Sequence, residues 1–256
     1  MGSHVLMSGH SKWSSIKHKK GVADARRGQL FSKLSRAIIV AAREGGPDPS
    51  ANLALQNAID KARSYSVPKD NIERAIARGS GADADEQAFE TIVYEGYGPG
   101  GVAMLVEALT DNRNRTAADV RQAFTKNDGN LGESGSVAWL FERKGVLLVG
   151  GSADEDELML AAADAGAEDV EREESSFRVT SAPEDLHAVR AALEQAGNTI
   201  ESSEATMLPK TNVSVEDEAV AKKVVRLMDV LEENEDVQSV YANFDIPERV
   251  LEAVAG

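Results

Sequence analysis

The sequence predicts an α+β protein of two or three domains, in which a basic helical segment precedes acidic segments of mixed strands and helices. The chain of 256 residues is too long for one small domain, since domains average about 100 to 200 residues. Hydrophobic residues make up 42% and charged residues 28% of the chain, which is ordinary for a globular protein. Apolar residues follow a helical period up to residue 79, and strand patterns first appear after residue 90.

Residues 21–79 predict a small helical bundle. Apolar positions within residues 30–41 share one helix face. Asp48-Pro49 then predicts the cap and first residue of a second helix, and Pro68 predicts the start of a third. The polar, glycine-bearing segment 79–85 follows and coincides with a change in the sign of the charge, so it predicts a domain boundary.

Strand patterns begin after this boundary. Residues 91–94 and 102–106 flank a Gly/Pro turn and predict a β-hairpin. The turn, residues 96–101, matches G-x-G-x-x-G, but a β-rich run follows where a dinucleotide-binding loop must open a helix. We therefore expect no nucleotide cofactor. Thr116 and Asp119 have the spacing of a capping box and predict the start of the next helix.

Residues 136–206 contain a strand-helix unit that occurs twice, which predicts a split βαβ or ferredoxin-like module. Ser152-x-x-Glu155 and Ser181-x-x-Glu184 predict capping boxes, and the two helices are predicted to end at Gly166 and Gly197. The surrounding extended segments are residues 137–149, 177–180 and 198–204. A helical stripe from Val220 to Leu231 and an alternating strand over residues 240–246 complete the pattern.

Composition excludes several classes of function. Cysteine is absent, which excludes disulfides, thiolate zinc sites and cysteine nucleophiles and is typical of a reducing, intracellular setting. No run approaches about 18 apolar residues and no apolar signal region is present, so we expect no membrane contact and a cytoplasmic protein. Residues 1–6 resemble vector sequence, and we expect them to be an expression scar.

The sequence does not predict an enzyme. It contains no nucleophile elbow, H-E-x-x-H motif or P-loop, and His187 is the single histidine after residue 20. The acidic runs 154–157 and 232–236 lack the spacing and the glycine of an EF-hand, so solvated acidic surface is the better interpretation. We expect no catalytic residue, no cofactor and no metal.

Charge is divided unevenly along the chain. Residues 7–80 hold 14 Lys and Arg against 6 Asp and Glu, a net charge of +8. Residues 81–256 hold 14 against 37, a net charge of −23. Because the first segment would attract a polyanion and the remainder would repel one, we expect nucleic acid to bind the first segment.

Candidate contacts with nucleic acid lie in an arm, residues 8–20, and on the helix after it. The arm places lysines for phosphates beside an aromatic ring that can stack on a base. Cations of the helix lie opposite its apolar face; a solvated face is the alternative. Arg113 and Arg115 precede a predicted helix N-terminus, which favours anions, so they are candidates for a second phosphate contact. Pairing of these arginines with Asp111 or Glu95 is an equal alternative. The predicted contact residues are Lys12, Trp13, Lys17, His18, Lys19, Lys20, Arg26, Arg27, Lys33, Arg36, Arg113 and Arg115.

Six blocks of the sequence resemble the YebC/PmpR family over residues 8 to about 250. They are residues 10–13, 16–20, 24–28, 94–101, 111–115 and 135–138. The resemblance implies a cytoplasmic protein of three domains, a helical N-terminal domain and two α+β domains, one inserted in the other. The predicted limits are residues 7–80 for the first domain, 81–134 plus 207–256 for the central domain, and 135–206 for the inserted, ferredoxin-like domain.

The resemblance also implies a non-enzymatic regulator of gene expression with nucleic acid as its partner. Members are described as DNA-binding regulators of transcription, and some relatives as translation factors that act at the ribosome on ribosomal or messenger RNA. No helix-turn-helix recognition element is evident for reading duplex DNA, whereas charge, stacking and shape are sufficient for RNA. Both functions stay open at this point, with a protein-interaction scaffold as a third.

Overall fold

The α+β class and the three-domain architecture are confirmed by the structure, a computed structural model. It describes residues 24–81, 89–173 and 176–255. Within these ranges, no helix combines the length and the apolar composition that crossing a bilayer requires.

The first domain consists of α1 (Asp24–Gly45), α2 (Leu53–Ser64) and α3 (Lys69–Gly79). Its core is formed by apolar side chains from all three helices, namely Leu34, Ile38, Ile39, Leu55, Ile59 and Ile72. The end of α3 lies directly against α1, because a Cβ atom on Gly79 would lie 2.3 Å from the Ile39 carbonyl oxygen. Glycine is therefore required where these two helices meet.

The start of α2 corrects the sequence prediction. The cap is Asn52 and not Asp48-Pro49, because the Asn52 Oδ1 accepts from the Leu55 N–H at 3.1 Å. The Asn52 Nδ2 also donates to the carbonyls of Ala41 at 2.7 Å and Gly46 at 2.8 Å. One buried amide thus joins the end of α1 to the start of α2. A capping pattern covers only neighbouring residues and does not show these additional hydrogen bonds.

The central domain begins with a hairpin of β1 (Glu90–Tyr97) and β2 (Ala103–Thr110). A 3-10 turn at Pro99–Gly101 joins the two strands, which confirms the hairpin. α4 (Arg113–Lys126) and the short β3 (Asn130–Leu131) follow.

The inserted domain has the ferredoxin-like order of elements. It contains β4 (Phe141–Gly150), α5 (Glu155–Asp164), β5 (Ala167–Arg172), β6 (Ser176–Ser181), α6 (Leu186–Gln195) and β7 (Ile200–Pro209). The antiparallel sheet has the order β5-β6-β4-β7. The edge strand β5 is absent from the sequence prediction, because its acidic, half-exposed residues show no clear alternation.

Helix ends in the inserted domain match the sequence prediction, whereas helix starts do not. Gly166 and Gly197 follow α5 and α6 with φ of +93° and +86°, as expected of C′ glycines. The cap of α5 is Asp154 instead of Ser152, and α6 begins only after Asp185, without a side-chain cap from Ser181. The predicted Thr116 cap of α4 is also wrong, because Asn112 caps this helix and its Oδ1 accepts from the Arg115 N–H at 3.1 Å.

The second half of the central domain contains β8 (Val213–Ser214), α7 (Glu218–Glu233), β9 (Val237–Ala242), β10 (Phe244–Asp245) and α8 (Glu248–Ala255). The predicted strand over residues 240–246 is thus two strands, and α8 is an additional helix. β9 pairs with β2 in a sheet of order β3-β1-β2-β9. Because this pairing joins residues on either side of the ferredoxin-like domain, that domain is an insertion.

The inserted domain shares apolar contacts with the central domain, whereas the first domain has an apolar cluster of its own. An apolar cluster connects the central sheet to the inserted domain and includes Leu105, Phe141 and Met207. Within the described ranges, the apolar cluster of the first domain lies wholly between residues 30 and 76 and shares no side chain with the other clusters. The predicted domain limits, at residues 81, 135 and 207, stay predictions.

Candidate nucleic-acid interface

Eight of the twelve predicted contact side chains lie outside the described part of the chain. They are those of Lys12, Trp13, Lys17, His18, Lys19, Lys20, Arg26 and Arg27. Their contacts stay predictions. The structure describes the other four, which lie on α1 and at the start of α4.

Lys33 and Arg36 of α1 face an acidic turn, residues 232–236, where α7 ends and β9 begins. The Lys33 Nζ donates to the carbonyl oxygen of Glu232. The Arg36 Nη1 donates to the Glu235 carbonyl at 3.0 Å and to the Asp236 Oδ1 at 2.9 Å. The Arg36 Nη2 also lies 3.4 Å from the Glu235 Oε2. Two predicted phosphate contacts are therefore occupied by oxygens of the protein itself.

The charge of the α7 C-terminus explains why cations gather there. The last carbonyls of a helix lack intrahelical donors and carry the negative end of the helix dipole. The last turn of α7 adds Glu232 and Glu233 and has no basic residue. Lys33 and Arg36 supply the missing positive charge from α1. Arg36 also lies 5.6 Å from the centre of the Phe89 ring, within the range of a cation–π contact.

Asp236 is the centre of this contact. Its side chain is only 5% exposed, and its Oδ2 accepts from the Arg115 Nη2 at 2.9 Å, the Thr116 Oγ1 at 2.8 Å and the Thr110 Oγ1 at 3.3 Å. Burial raises the pKa of Asp236, but the donors Arg115, Thr116 and Arg36 together lower it below its ordinary value. An ionised carboxylate therefore connects the first domain to β2 and α4.

The two arginines at the start of α4 differ in their surroundings. Arg115 pairs with Asp111 at 2.9 Å and with Asp236 at 2.9 Å. The hydrogen bonds that Arg115 donates to Asp236 and Asp111 raise its pKa. Arg115 is thus paired with acidic side chains of the protein, which is the alternative to a phosphate contact. Arg113 lies 3.9 Å from Glu90 and its side chain is 67% exposed, so a phosphate could reach it.

Glu95 does not pair with either arginine. Its buried carboxylate accepts the backbone N–H groups of Gly135 at 2.6 Å, Val137 at 2.8 Å and Ala138 at 2.7 Å. Burial raises the pKa of Glu95, and the three backbone donors more than offset this effect, so the pKa is lowered. Glu95 thereby orders the segment that leads into the inserted domain.

The sequence shows the acidic run 232–236 and favours solvated surface for it, so its contact with α1 is not predicted. No local signal could have identified this contact, because the partners of the run lie about 200 residues away along the chain. Sequence reasoning also missed exposed cations of the first domain outside α1. Lys61 lies on α2 and Arg74 on α3, and both are exposed. Arg43, which belongs to the cationic face that the sequence predicts for α1, is exposed in the last turn of that helix.

Comparisons with known proteins match nearly the whole chain. A family described as "TACO1/YebC protein N-terminal domain" matches residues 11–82, and one described as "TACO1/YebC second and third domain" matches residues 89–244. A probable transcriptional regulatory protein of Rubrobacter xylanophilus is 59% identical over 98% of this chain and 100% of its own length. One from Desulfotalea psychrophila is 54% identical over 97% and 100%.

A solved structure has the same fold. The crystal structure of a conserved hypothetical protein from Aquifex aeolicus superposes with a TM-score of 0.76 at 51% identity. The match covers 88% of this chain and 93% of the other.

Proposed function

The chain belongs to the TACO1/YebC family, and we propose that it is a cytoplasmic, non-enzymatic regulator of gene expression that binds nucleic acid through its first domain. The observation that carries the proposal is the concentration of positive charge in residues 7–80, at +8 against −23 for the remainder. Relatives named probable transcriptional regulatory proteins support transcription as the regulated step. Duplex DNA is therefore the first partner to test.

The proposed interface has two parts. The arm supplies four lysines, Lys12, Lys17, Lys19 and Lys20, beside Trp13. The helices supply Arg26, Arg27, Lys33 and Arg36 of α1, with Arg113 as an outlying contact. Lysine and arginine contacts to phosphate release counterions, so affinity should depend steeply on salt and weakly on base sequence.

The packing of α1 limits how this helix could read a duplex. One face carries Leu34, Ile38 and Ile39 and is buried against α2 and α3. The face with Lys33 and Arg36 contacts the acidic turn. A helix enters the major groove only with an exposed face. While α1 contacts the acidic turn, we therefore expect most phosphate contacts to come from the arm and from exposed cations such as Arg43.

RNA is the alternative partner, as expected for a translation factor, and Trp13 favours it. Stacking on an aromatic ring needs an unpaired base, which RNA loops provide and an intact duplex does not. The arm contains one tryptophan among its four lysines.

Titration of the full chain against a short duplex DNA and a stem-loop RNA tests the proposal. The logarithm of the binding constant should fall linearly with the logarithm of salt between about 50 and 200 mM, with a slope of roughly 0.9 per phosphate contact on duplex DNA. Ribosome profiles of cell lysate then separate the two roles, because a translation factor should sediment with ribosomes. Failure to bind either probe at low salt would exclude the proposed function.

A further inference from the structure

We propose that the acidic turn is an intramolecular competitor of nucleic acid, which occupies Lys33 and Arg36 in the unbound protein and leaves them when nucleic acid binds. This inference rests on the proposed function and adds to it a regulation of the same surface. The turn is defined by Glu232, Glu233, Asn234, Glu235 and Asp236.

The contacts of the turn resemble those that a phosphate backbone would make. Arg36 is held by a carbonyl oxygen and by two carboxylates, those of Glu235 and Asp236. Lys33 is held by the carbonyl of Glu232. Guanidinium groups bind carboxylate and phosphate oxygens with the same planar geometry. A phosphate and the acidic turn are thus alternative partners for the same two cations.

The contact is polar, which makes it exchangeable. Among the residues that the structure describes, the apolar cluster of the first domain ends within residues 30–76, and no member of it belongs to the clusters of the other domains. The central and inserted domains, by contrast, share the buried side chains of Leu105, Val137 and Phe141. Phosphate oxygens or water can replace the oxygens of the turn as partners of Arg36 and Lys33, whereas buried apolar side chains have no such substitute. The first domain is therefore the one that can separate from its neighbour.

Release of Arg36 would leave no buried charge without a partner. Asp236 keeps Arg115 and the hydroxyl groups of Thr116 and Thr110. The side chain of Glu235 is 64% exposed and would simply be hydrated. A buried carboxylate that lost its only partner would oppose opening strongly, but the second set of donors around Asp236 removes that obstacle.

The competition lowers the apparent affinity for nucleic acid. A site that is accessible in only a fraction of molecules binds with its intrinsic affinity reduced by that fraction. Weakening the turn should therefore tighten binding, although the substituted residues never contact the nucleic acid.

The direct test is Glu235→Gln combined with Asp236→Asn in the full chain. We expect this variant to bind a short duplex DNA and a stem-loop RNA about threefold to tenfold more tightly at low salt, the factor that loss of one or two ion pairs of the partly exposed Arg36 provides. The matched control is Glu216→Gln with Glu218→Gln, which removes the same charge from exposed residues at the other end of α7. The control should change affinity less than the test variant does.

The same substitutions in a Lys33→Gln, Arg36→Gln background give the second arm of the test. If the turn acts by occupying these cations, its neutralisation should have no effect once they are absent. Equal gains from the test and control variants, or a gain that persists without Lys33 and Arg36, would overturn the competition while leaving the proposed function intact. Absence of binding by every variant would overturn both.

Hydrogen exchange of the unsubstituted chain provides a measurement that does not depend on folding of the Asp236 variant. The N–H of Asp236 donates to the Asn234 Oδ1 at 2.9 Å, and the N–H of Val237 donates to the Asn234 carbonyl at 3.2 Å. Saturation with the stem-loop RNA or the duplex should make exchange in this turn faster, because its α1 partners have left. Unchanged or slower exchange in the turn at saturation would contradict the proposal.

Discussion

Asp236→Asn should destabilise the central domain and loosen its contact with the first domain. The substitution keeps the size of the side chain but replaces one acceptor oxygen with an NH2 group and removes the charge. The carboxylate accepts from Arg36 and Arg115 and from the hydroxyl groups of Thr110 and Thr116. The asparagine oxygen can accept from the donors on one side only. On the other side, the asparagine NH2 group would face protein donors with no acceptor between them.

The expected magnitude follows from these contacts. Removing one member of a buried ion pair costs about 3–5 kcal/mol, but the Arg115 side chain is 49% exposed and can find water. A loss of about 2–3 kcal/mol in the free energy of unfolding is therefore expected. Asp111→Asn is the matched control: it removes the other carboxylate of Arg115, which is 34% exposed, and should cost no more than about 1 kcal/mol.

The assay is urea unfolding of the full chain at neutral pH and in acid. Because the pKa of Asp236 is lowered in the folded protein, its contribution is present above the ordinary carboxyl pKa and is lost as the pH falls through the folded value. The difference between the original chain and Asp236→Asn should thus be largest near pH 7 and shrink below about pH 4. A difference below about 0.5 kcal/mol at pH 7, or one that grows in acid, would refute the role assigned to this carboxylate.

Further expectations concern the arm and the domain junction. Replacing Lys17, Lys19 and Lys20 by Ala should flatten the salt dependence on duplex DNA by about 2–3 units in log–log slope, without change in thermal stability; an unaltered slope would show that they do not touch phosphate. Trp13→Ala should cost about 1–3 kcal/mol on a stem-loop RNA and little on duplex DNA. Equal losses on both ligands with a lower melting temperature would instead indicate a packing role. Glu95→Gln should lower stability by about 1–3 kcal/mol in thermal unfolding, since three N–H donors lose an ionised acceptor; an unchanged melting temperature would show that this acceptor is dispensable.

Features determined by nearby residues were predictable from the sequence. Gly166 and Gly197 end their helices because each has a positive φ that glycine adopts without strain. The β1–β2 hairpin follows from two β-rich runs around a Gly/Pro turn. These signals depend only on neighbouring residues, although the equally local capping patterns at Ser152, Ser181 and Thr116 do not form caps in the structure.

Features determined by distant residues were not predictable. Asn52 caps α2 because it also donates to the carbonyl of Ala41 in α1 and to that of Gly46 directly after α1. β5 forms because it pairs with β6. The acidic turn is the extreme case, since its hydrogen bonds to α1 span about 200 residues of chain. Charge patterning along the sequence identified both partners separately, as a basic stripe and as an acidic run, but no sequence periodicity indicates that they meet.

Acidic residues of the central and inserted domains can weaken polyanion binding in two ways, by long-range repulsion or by direct contact with Lys33 and Arg36. The structure allows these two effects to be distinguished. Repulsion between exposed charges extends over a Debye length, about 10 Å at 0.1 M salt. α7 has 16 residues and is therefore about 24 Å long, so Glu216 and Glu218 lie more than two such lengths from the acidic turn. If general repulsion limited binding, neutralising Glu235 and Asp236 would still tighten binding after Lys33 and Arg36 are replaced, and salt would abolish the effect. If direct occupancy of Lys33 and Arg36 limits it, only the end that holds Glu235 and Asp236 should matter, and the effect should disappear with those two cations.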